Sequence, residues 1–551
     1  MSDRGRQAGT GDASTLVAAG ILLSRVSGLV RERAIGHFLG TGLAVEAFRA
    51  ALRIPNLLQN LLGDGVLSAS FIPSYARLLD EDRTRAGQLA GTVAAALVVV
   101  AATLSTAGIV FARPITQVLT PGWSGQRLDL TVQLVRFVTP GMGLLVLSGW
   151  ALGVLNSHRR FFVSYVAPVL WNGAIVGLLT GAAITGATAV GLAEALAWGT
   201  LLGGALQLLV QLAAIRGTAV DGLRVARSAL SDVRIVARRA LPVIGGRGVV
   251  QLMSYLSLVL ASFLAAGAVA SLTYAQVLYV LPVSLFGMSV AAAELPELSR
   301  SVSRPADELR ARLAAGLERI AFFSIPTVVF YVVLGRSVVS LLYGSGRFDA
   351  ADTVQVWAVL AAYSIGLVAT TQARLLQSGL YALGDTRTPA VIAVVRVVVA
   401  GVLGVVLMAQ FDRFAVSASE IALVGPLPAG LAASPLRLAP ENLHRLGAAG
   451  LALAAGLSGW LEFVLLRRAL ARRIGRLAQG SGVRSIRARC WASAGTASAI
   501  GLVIGGMDSV ATGPHLAIVT LTVAGGTYLV GTWWLGVPHA ARLGRRLPRP
   551  W

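Results

Sequence analysis

Apolar runs fill this chain from residue 14 to residue 536 and are interrupted at short intervals by arginine, glycine and proline. A helix that crosses a bilayer needs about 20 mostly apolar residues. By that measure the pattern predicts spans near 14–37, 43–76, 86–112, 129–156, 161–185, 189–215, 238–265, 268–293, 312–343, 353–382, 388–410, 446–470, 486–508 and 513–536. Fourteen such spans define an all-α polytopic membrane protein. The second span is the least hydrophobic, and hydropathy alone does not secure it.

The basic residues support the count. Loops on the cytoplasmic side carry the excess of positive charge. With the N-terminus inside, thirty arginines fall in segments on the inner side and six in segments on the outer side. A missing span would invert every later loop and destroy that bias. Both termini are therefore expected in the cytoplasm. Residues 1–13 are polar, and no small-residue cleavage site follows, so the first span reads as an uncleaved helix.

Eleven further arginines lie within spans: Arg25, Arg31, Arg33, Arg49, Arg53, Arg136, Arg247, Arg319, Arg336, Arg374 and Arg396. An arginine at the centre of a lipid-facing helix costs roughly 2.5–3.5 kcal/mol on the insertion scale. Arg33, Arg136, Arg319, Arg336 and Arg396 sit near span ends and are expected to snorkel. The others call for an interior, hydrated cavity. In the second span Glu46, Arg49, Arg53, Asn56, Asn60 and Asp64 recur at helical spacing and share one face. Pro55 and the pair Gly63 and Gly65 should bend that span. Arg247, Gln251, Ser254 and Tyr255 make a shorter stripe in span seven. Arg374, Gln377 and Tyr381 make another in span ten. Gly28, Gly245, Gly246 and Gly248 are further candidate bend points. Two bland alternatives stand beside the cavity: a surface helix for span two, and helix–helix hydrogen bonding for the later stripes.

Composition narrows the function. The chain has 551 residues, 55% hydrophobic and only 13% charged, where a soluble domain carries about 25% charged residues. All 47 basic residues are arginine and the net charge is +22. They are scattered among apolar segments, so no basic domain for nucleic acid exists. Cys490 is the single cysteine, which excludes an internal disulfide and a thiolate metal site. The five histidines are far apart, and no phosphate-binding loop of the nucleotidase type occurs. No metal site, cofactor or catalytic residue is expected.

A faint repeat divides the chain. Pro73-Ser-Tyr-Ala-Arg77 closes span two and Pro296-Glu-Leu-Ser-Arg300 closes span eight; Leu155-Asn-Ser-His-Arg159 is echoed by Leu383-Gly-Asp-Thr-Arg387. Each offset equals six spans. Two six-helix halves of the same orientation, with a site between them, is a common carrier plan. The expected domains are an N-lobe at 1–218, a C-lobe at 219–445 completed by span twelve at 446–480, and two further helices with a basic tail at 481–551. The segment 411–445, with four prolines, reads as a long outer loop.

The run SRVSGLVRERAIGHFLGTGLAVEAFRAALRIPNLLQNLLGDGVLSASFIP resembles the opening of the MurJ/MviN lipid II flippase family. LLYGSGRFDAADT, AAYSIGL and ALGDTRTP are similar to signatures in that family's second half. The likeness implies the multidrug/oligosaccharidyl-lipid/polysaccharide exporter fold, with two pseudo-symmetric six-helix lobes around a cavity and two helices forming a groove for a lipid tail. It implies a plasma-membrane transporter, not an enzyme. Its cargo would be lipid II, the undecaprenyl-pyrophosphate-linked peptidoglycan precursor. The family's cavity positions fall on Arg25, Arg31 with Glu32, Glu46, Arg53, Asn56, Asp64 and Arg374. Gln59 and Val277 stand where the family usually has arginine, and Arg49 and Arg247 are candidates to supply the missing charge.

The chemistry agrees with that implication. A guanidinium is a planar fork that holds phosphate oxygens in pairs. Arg25, Arg31, Arg53 and Arg247 are the expected pyrophosphate ligands, with Arg49 and Arg374 beside them. Glu32, Glu46 and Asp64 would orient the arginines and balance their charge. Asn56 and Gln59 can bond sugar or peptide amides. The expected partners are a polyprenyl-pyrophosphate glycolipid and the membrane, with a monomeric chain that can associate with cell-wall synthesis machinery. Coupling to the membrane potential or to a monovalent cation stays open. The rival functions are flipping of another lipid-linked oligosaccharide, cation-coupled drug export, and a non-transporting envelope scaffold.

Overall fold

A computed structural model describes residues 3–216, 223–301, 306–417, 420–424, 444–476, 481–506 and 514–543. The side chains of residues 3–18, 21, 54, 57–58, 61–62, 64–66, 69, 242–253, 481–484 and 541–543 are outside that description. The chain forms two compact units, residues 1–259 and 260–551.

The first unit is built from α1 (Asp3–Leu39), α2 (Leu43–Leu62), α3 (Asp64–Glu81), α4 (Arg83–Val110), α5 (Ala112–Leu119), α6 (Gly125–Ser157), α7 (Phe161–Ile184), α8 (Ala189–Arg216) and α9 (Leu230–Ala261), which ends at the unit boundary. Helix α1 packs on α7, α2 on α6, and α8 on both α6 and α7. The second predicted span is α2 followed by α3. The break falls at Gly63, whose extended backbone lets its N–H bond the Gln59 carbonyl at 2.8 Å. A Cβ there would lie 2.3 Å from that same carbonyl oxygen, so the turn requires glycine. Pro55 sits inside α2 without ending it. Helices α1 and α9 run unbroken through Gly28 and through Gly245, Gly246 and Gly248, so these glycines do not interrupt the helices. Phe71, Tyr75, Leu89, Val154 and Leu155 close one core of this unit.

The second unit continues with α10 (Ala268–Pro282), a π-helical turn over Val283–Met288, α11 (Ser289–Ser301), α12 (Ala306–Val333), α13 (Gly335–Tyr343), α14 (Ala350–Ser364), α15 (Leu367–Ala382) and α16 (Arg387–Phe411). A two-stranded hairpin follows, β1 (Phe414–Ser417) against β2 (Glu420–Leu423), with Phe414 opposite Leu423. The helices α17 (Gly447–Ile474), α18 (Ser481–Gly505), α19 (Pro514–Trp534) and α20 (Pro538–Leu543) complete it. Helices α14 and α15 form one predicted span bent by 44°. At the bend a Cβ on Gly366 would stand 2.4 Å from the Gly456 Cα of α17. Two backbones thus touch where side chains would keep them apart. Leu313, Leu375, Leu376, Leu380, Leu466 and Leu470 fill the core around this contact's lower neighbours α12, α15 and α17. Helices α18 and α19 pack on each other, and the Tyr528 hydroxyl donates to the Phe322 carbonyl of α12 at 2.6 Å.

Nine helices among the described residues are long and apolar enough to cross a membrane, or ten if the bent pair is one span. Val391, Val394, Val398, Val402 and Val405 of α16 are exposed at helical spacing along one face. An exposed apolar stripe of this length is what contact with lipid tails demands.

Candidate functional site

In the first unit the arginines meet carboxylates that the helical spacing places within reach. Glu32, 3% exposed, lies on α1 directly beside Arg31. Arg31 Nη2 donates to Glu32 Oε1 at 2.7 Å. Arg49 of α2, 6% exposed, grips the same carboxylate with both terminal nitrogens: Nη1 donates to Oε1 at 3.2 Å, and Nη2 donates to Oε2. One buried anion therefore holds two guanidinium groups, and the trio carries a net charge of about +1 at neutral pH.

Helix α7 supports Arg31 from another side. Its Nη1 donates to Asn172 Oδ1 at 3.0 Å, and its guanidinium lies over the Trp171 ring at 4.7 Å. Asn172 in turn donates to Ser27 Oγ at 2.8 Å. Stacking on an aromatic face and bonding a neutral amide fix the fork without adding charge. Arg31 keeps 20% of its side chain exposed, whereas Arg49 is sealed in. Of the two, Arg31 is the one that a ligand can reach.

The stripe on α2 is shared among three neighbours. Glu46 Oε2 accepts from Arg127 Nη2 of α6 at 2.6 Å, and Arg127 stacks over Trp123 at 4.1 Å. Arg49 goes to α1, as above. Arg53 Nη1 donates to the Ser254 carbonyl at 3.0 Å and lies 3.2 Å from its hydroxyl, while Tyr255 donates back to the Arg53 carbonyl at 3.0 Å. Asn56 and Gln59 are partly buried and Asn60 is exposed. Arg25 is exposed and stands outside the Glu32 group. The side chains of Asp64, Arg247 and Gln251 lie outside the described residues. The structure thus gathers Arg31, Glu32 and Arg49, and pairs Glu46 with Arg127.

The second unit has its own cluster. Glu462 of α17, 3% exposed, accepts from Arg396 Nη1 of α16 at 2.5 Å and from Gln377 Nε2 of α15 at 2.9 Å. Arg374 Nη1 donates to Gln377 Oε1 at 3.3 Å. The Nε atoms of Arg374 and Arg396 are buried without a hydrogen-bond partner. Arg396 was expected to snorkel; the structure instead turns it to a buried carboxylate, because Glu462 offers a stronger partner than a distant interface. Arg336, over the Trp357 ring at 4.6 Å, behaves as a helix-end arginine should.

Four participants lie outside the candidates drawn from the sequence. Arg127 sat near a span end and was counted as loop charge. Glu462 is the single acid within its span, a signal that was there to be used. Trp171 and Asn172 are unremarkable in sequence, and only the packing of α7 on α1 assigns them.

This polytopic helical protein, whose described residues include buried arginine–carboxylate clusters, has a fold similar to that of multidrug exporters. A MATE-family multidrug transporter in an inward-facing conformation superposes with a TM-score of 0.61 at 15% identity, covering 85% of this chain and 99% of that one. The structure described as "Lipid II flippase MurJ, inward closed conformation" gives 0.71 at 18% identity, covering 97% and 99%. The family profile "Lipid II flippase MurJ" matches residues 35–425, and the chain belongs to that family. A probable lipid II flippase of Rhizobium tropici is 30% identical over 413 residues, 73% of this chain and 76% of that protein. The lipid II flippase of Burkholderia cenocepacia is 31% identical over 405 residues, covering 71% and 75%. Membership makes this a transporter rather than an enzyme, and a multi-pass protein of the plasma membrane.

Proposed function

We propose that this chain carries lipid II from the inner to the outer leaflet by alternating access, with the pyrophosphate received by Arg31 and its neighbours. The observation that supports it most is the Arg31–Glu32–Arg49 group. A compact polyanion can take over the exposed side of Arg31 while Glu32 and Arg49 hold the fork in place. Arg53 and Arg25 are the next candidates along the path, and Arg374 the candidate in the second unit. Fourteen spans in two lobes, both termini in the cytoplasm and a monomeric chain complete the proposal. An anion moving outward, with the cytoplasm negative, gains about 2.3 kcal/mol per charge per 100 mV. The membrane potential is therefore the proposed source of energy, with a monovalent co-ion as the alternative.

The test is complementation in cells depleted of their own lipid II flippase. Wild type restores growth, Arg31→Ala does not, and Arg31→Lys does so poorly because an ammonium lacks the fork. Equal rescue by wild type and Arg31→Ala would overturn the assignment. Gln59 and Val277, at positions where the family usually has arginine, favour a second reading in which the cargo is another lipid-linked saccharide. Wild type that is well expressed but never rescues selects that reading.

A further inference from the structure

We infer that Asp349, Asp352 and His444 form a site for one divalent transition-metal ion of the zinc class. The three lie in the second unit and come from segments about ninety residues apart. Asp349 caps α14: its carboxylate accepts from the Asp352 N–H at 2.8 Å, and Asp352 accepts from the Asp349 N–H at 3.4 Å. A carboxylate has about four lone-pair positions, so capping leaves room for a further ligand. His444 arrives from the segment that leads into α17. Its carbonyl accepts from the Val416 N–H of β1 at 3.1 Å, and Gln355, one turn beyond Asp352, donates to the Arg445 carbonyl at 3.1 Å. The main chain at His444 is therefore held in place, and the imidazole Nε2 lies 3.1 Å from Asp352 Oδ1.

One ligating atom from each of the three lies within 4.8 Å of the others. Zinc bonds to imidazole nitrogen and carboxylate oxygen are about 2.0–2.2 Å long, which puts two ligands of a tetrahedral ion about 3.4 Å apart. His444 and Asp352 already stand near that separation. Asp349 is exposed, and a side-chain rotation brings it in. Imidazole with two carboxylates suits zinc; calcium and magnesium take all-oxygen sets with more ligands. The helix cap and the His444–Asp352 contact already hold the three side chains together, and an ion would join them. The ion would staple the segment returning from the hairpin to the start of α14.

The full chain, purified in detergent and stripped with EDTA, is titrated with Zn²⁺ by calorimetry, and its thermal unfolding is followed with and without Zn²⁺. The expected result is one ion per chain and a higher Tm. His444→Ala and Asp349→Asn should each weaken binding by more than about 100-fold, beyond the 10–100-fold typical of losing a group that only hydrogen-bonds a ligand. Asp349→Asn keeps a capping side chain, so it serves if His444→Ala fails to fold. Binding that survives both substitutions, or Mg²⁺ or Ca²⁺ binding at the same residues in preference to Zn²⁺, overturns the assignment.

Discussion

The two units solve one problem in different ways. In the first, a single carboxylate from α1 is shared by two arginines, and a second carboxylate, Glu46, pairs with Arg127. In the second, Glu462 takes one arginine directly and reaches the other through a neutral amide, Gln377. The first arrangement is tight and charge-dense, and the second is a relay. Direct sharing fixes two forks rigidly at the expense of desolvating three ions. A relay desolvates less but leaves Arg374 held by one 3.3 Å bond.

The largest effect should come from Glu32→Gln. It removes the carboxylate that Arg49 and Arg31 share, and breaking a buried pair costs roughly 3–5 kcal/mol. Thermal or denaturant unfolding in detergent micelles reads this, and a loss no larger than that of the next variant would erase the contrast. Glu462→Gln should cost less, about 1–3 kcal/mol, because Arg396 is 18% exposed and can turn toward water. Gln377→Leu cuts the relay alone; about 0.5–1.5 kcal/mol is expected, without loss of the Arg396–Glu462 pair. A double-mutant cycle of Gln377→Leu with Arg374→Met would show the coupling, and additive effects would remove it.

The smallest effect concerns the loop between α15 and α16. Asp385 accepts from the Thr388 N–H at 2.9 Å and from its hydroxyl at 2.8 Å, and the nearby Arg473 guanidinium adds a 3.2 Å bond. These bonds hold its carboxyl below the usual aspartate range. A lowered folded pKa stabilises above the unfolded value of about 3.9 and is lost as pH falls through the folded one. Asp385→Asn should therefore cost little at neutral pH and flatten the acid limb of the unfolding curve. An unchanged acid limb would show that the cap does not contribute.

Much of the fold was legible because lipid forces a simple code. Apolar length located the helices, and the bend of the second span at Gly63 followed from glycine in an otherwise helical stripe. The family signatures also acquire physical reasons: ALGDTRTP encloses the Asp385 cap, and AAYSIGL places Gly366 against Gly456. Partners were less legible. Periodicity puts Glu46, Arg49 and Arg53 on one face, but it does not say that three different helices divide them. Arg127 and Glu462 were hidden by position, one at a span end and one amid apolar residues where only basic groups were being counted. His444 and Asp352 meet through the return of a hairpin, which no sequence spacing encodes.

Glu32 has one consequence that extends past stability. Because it already sits on both Arg31 and Arg49, an incoming anion meets only the exposed side of Arg31, beside a resident carboxylate that repels it. A singly charged chloride gains little from one partly neutralised guanidinium, whereas a ligand with several oxygens can take a paired hold on the fork. The resident glutamate thus acts as a threshold against the small anions of the cell.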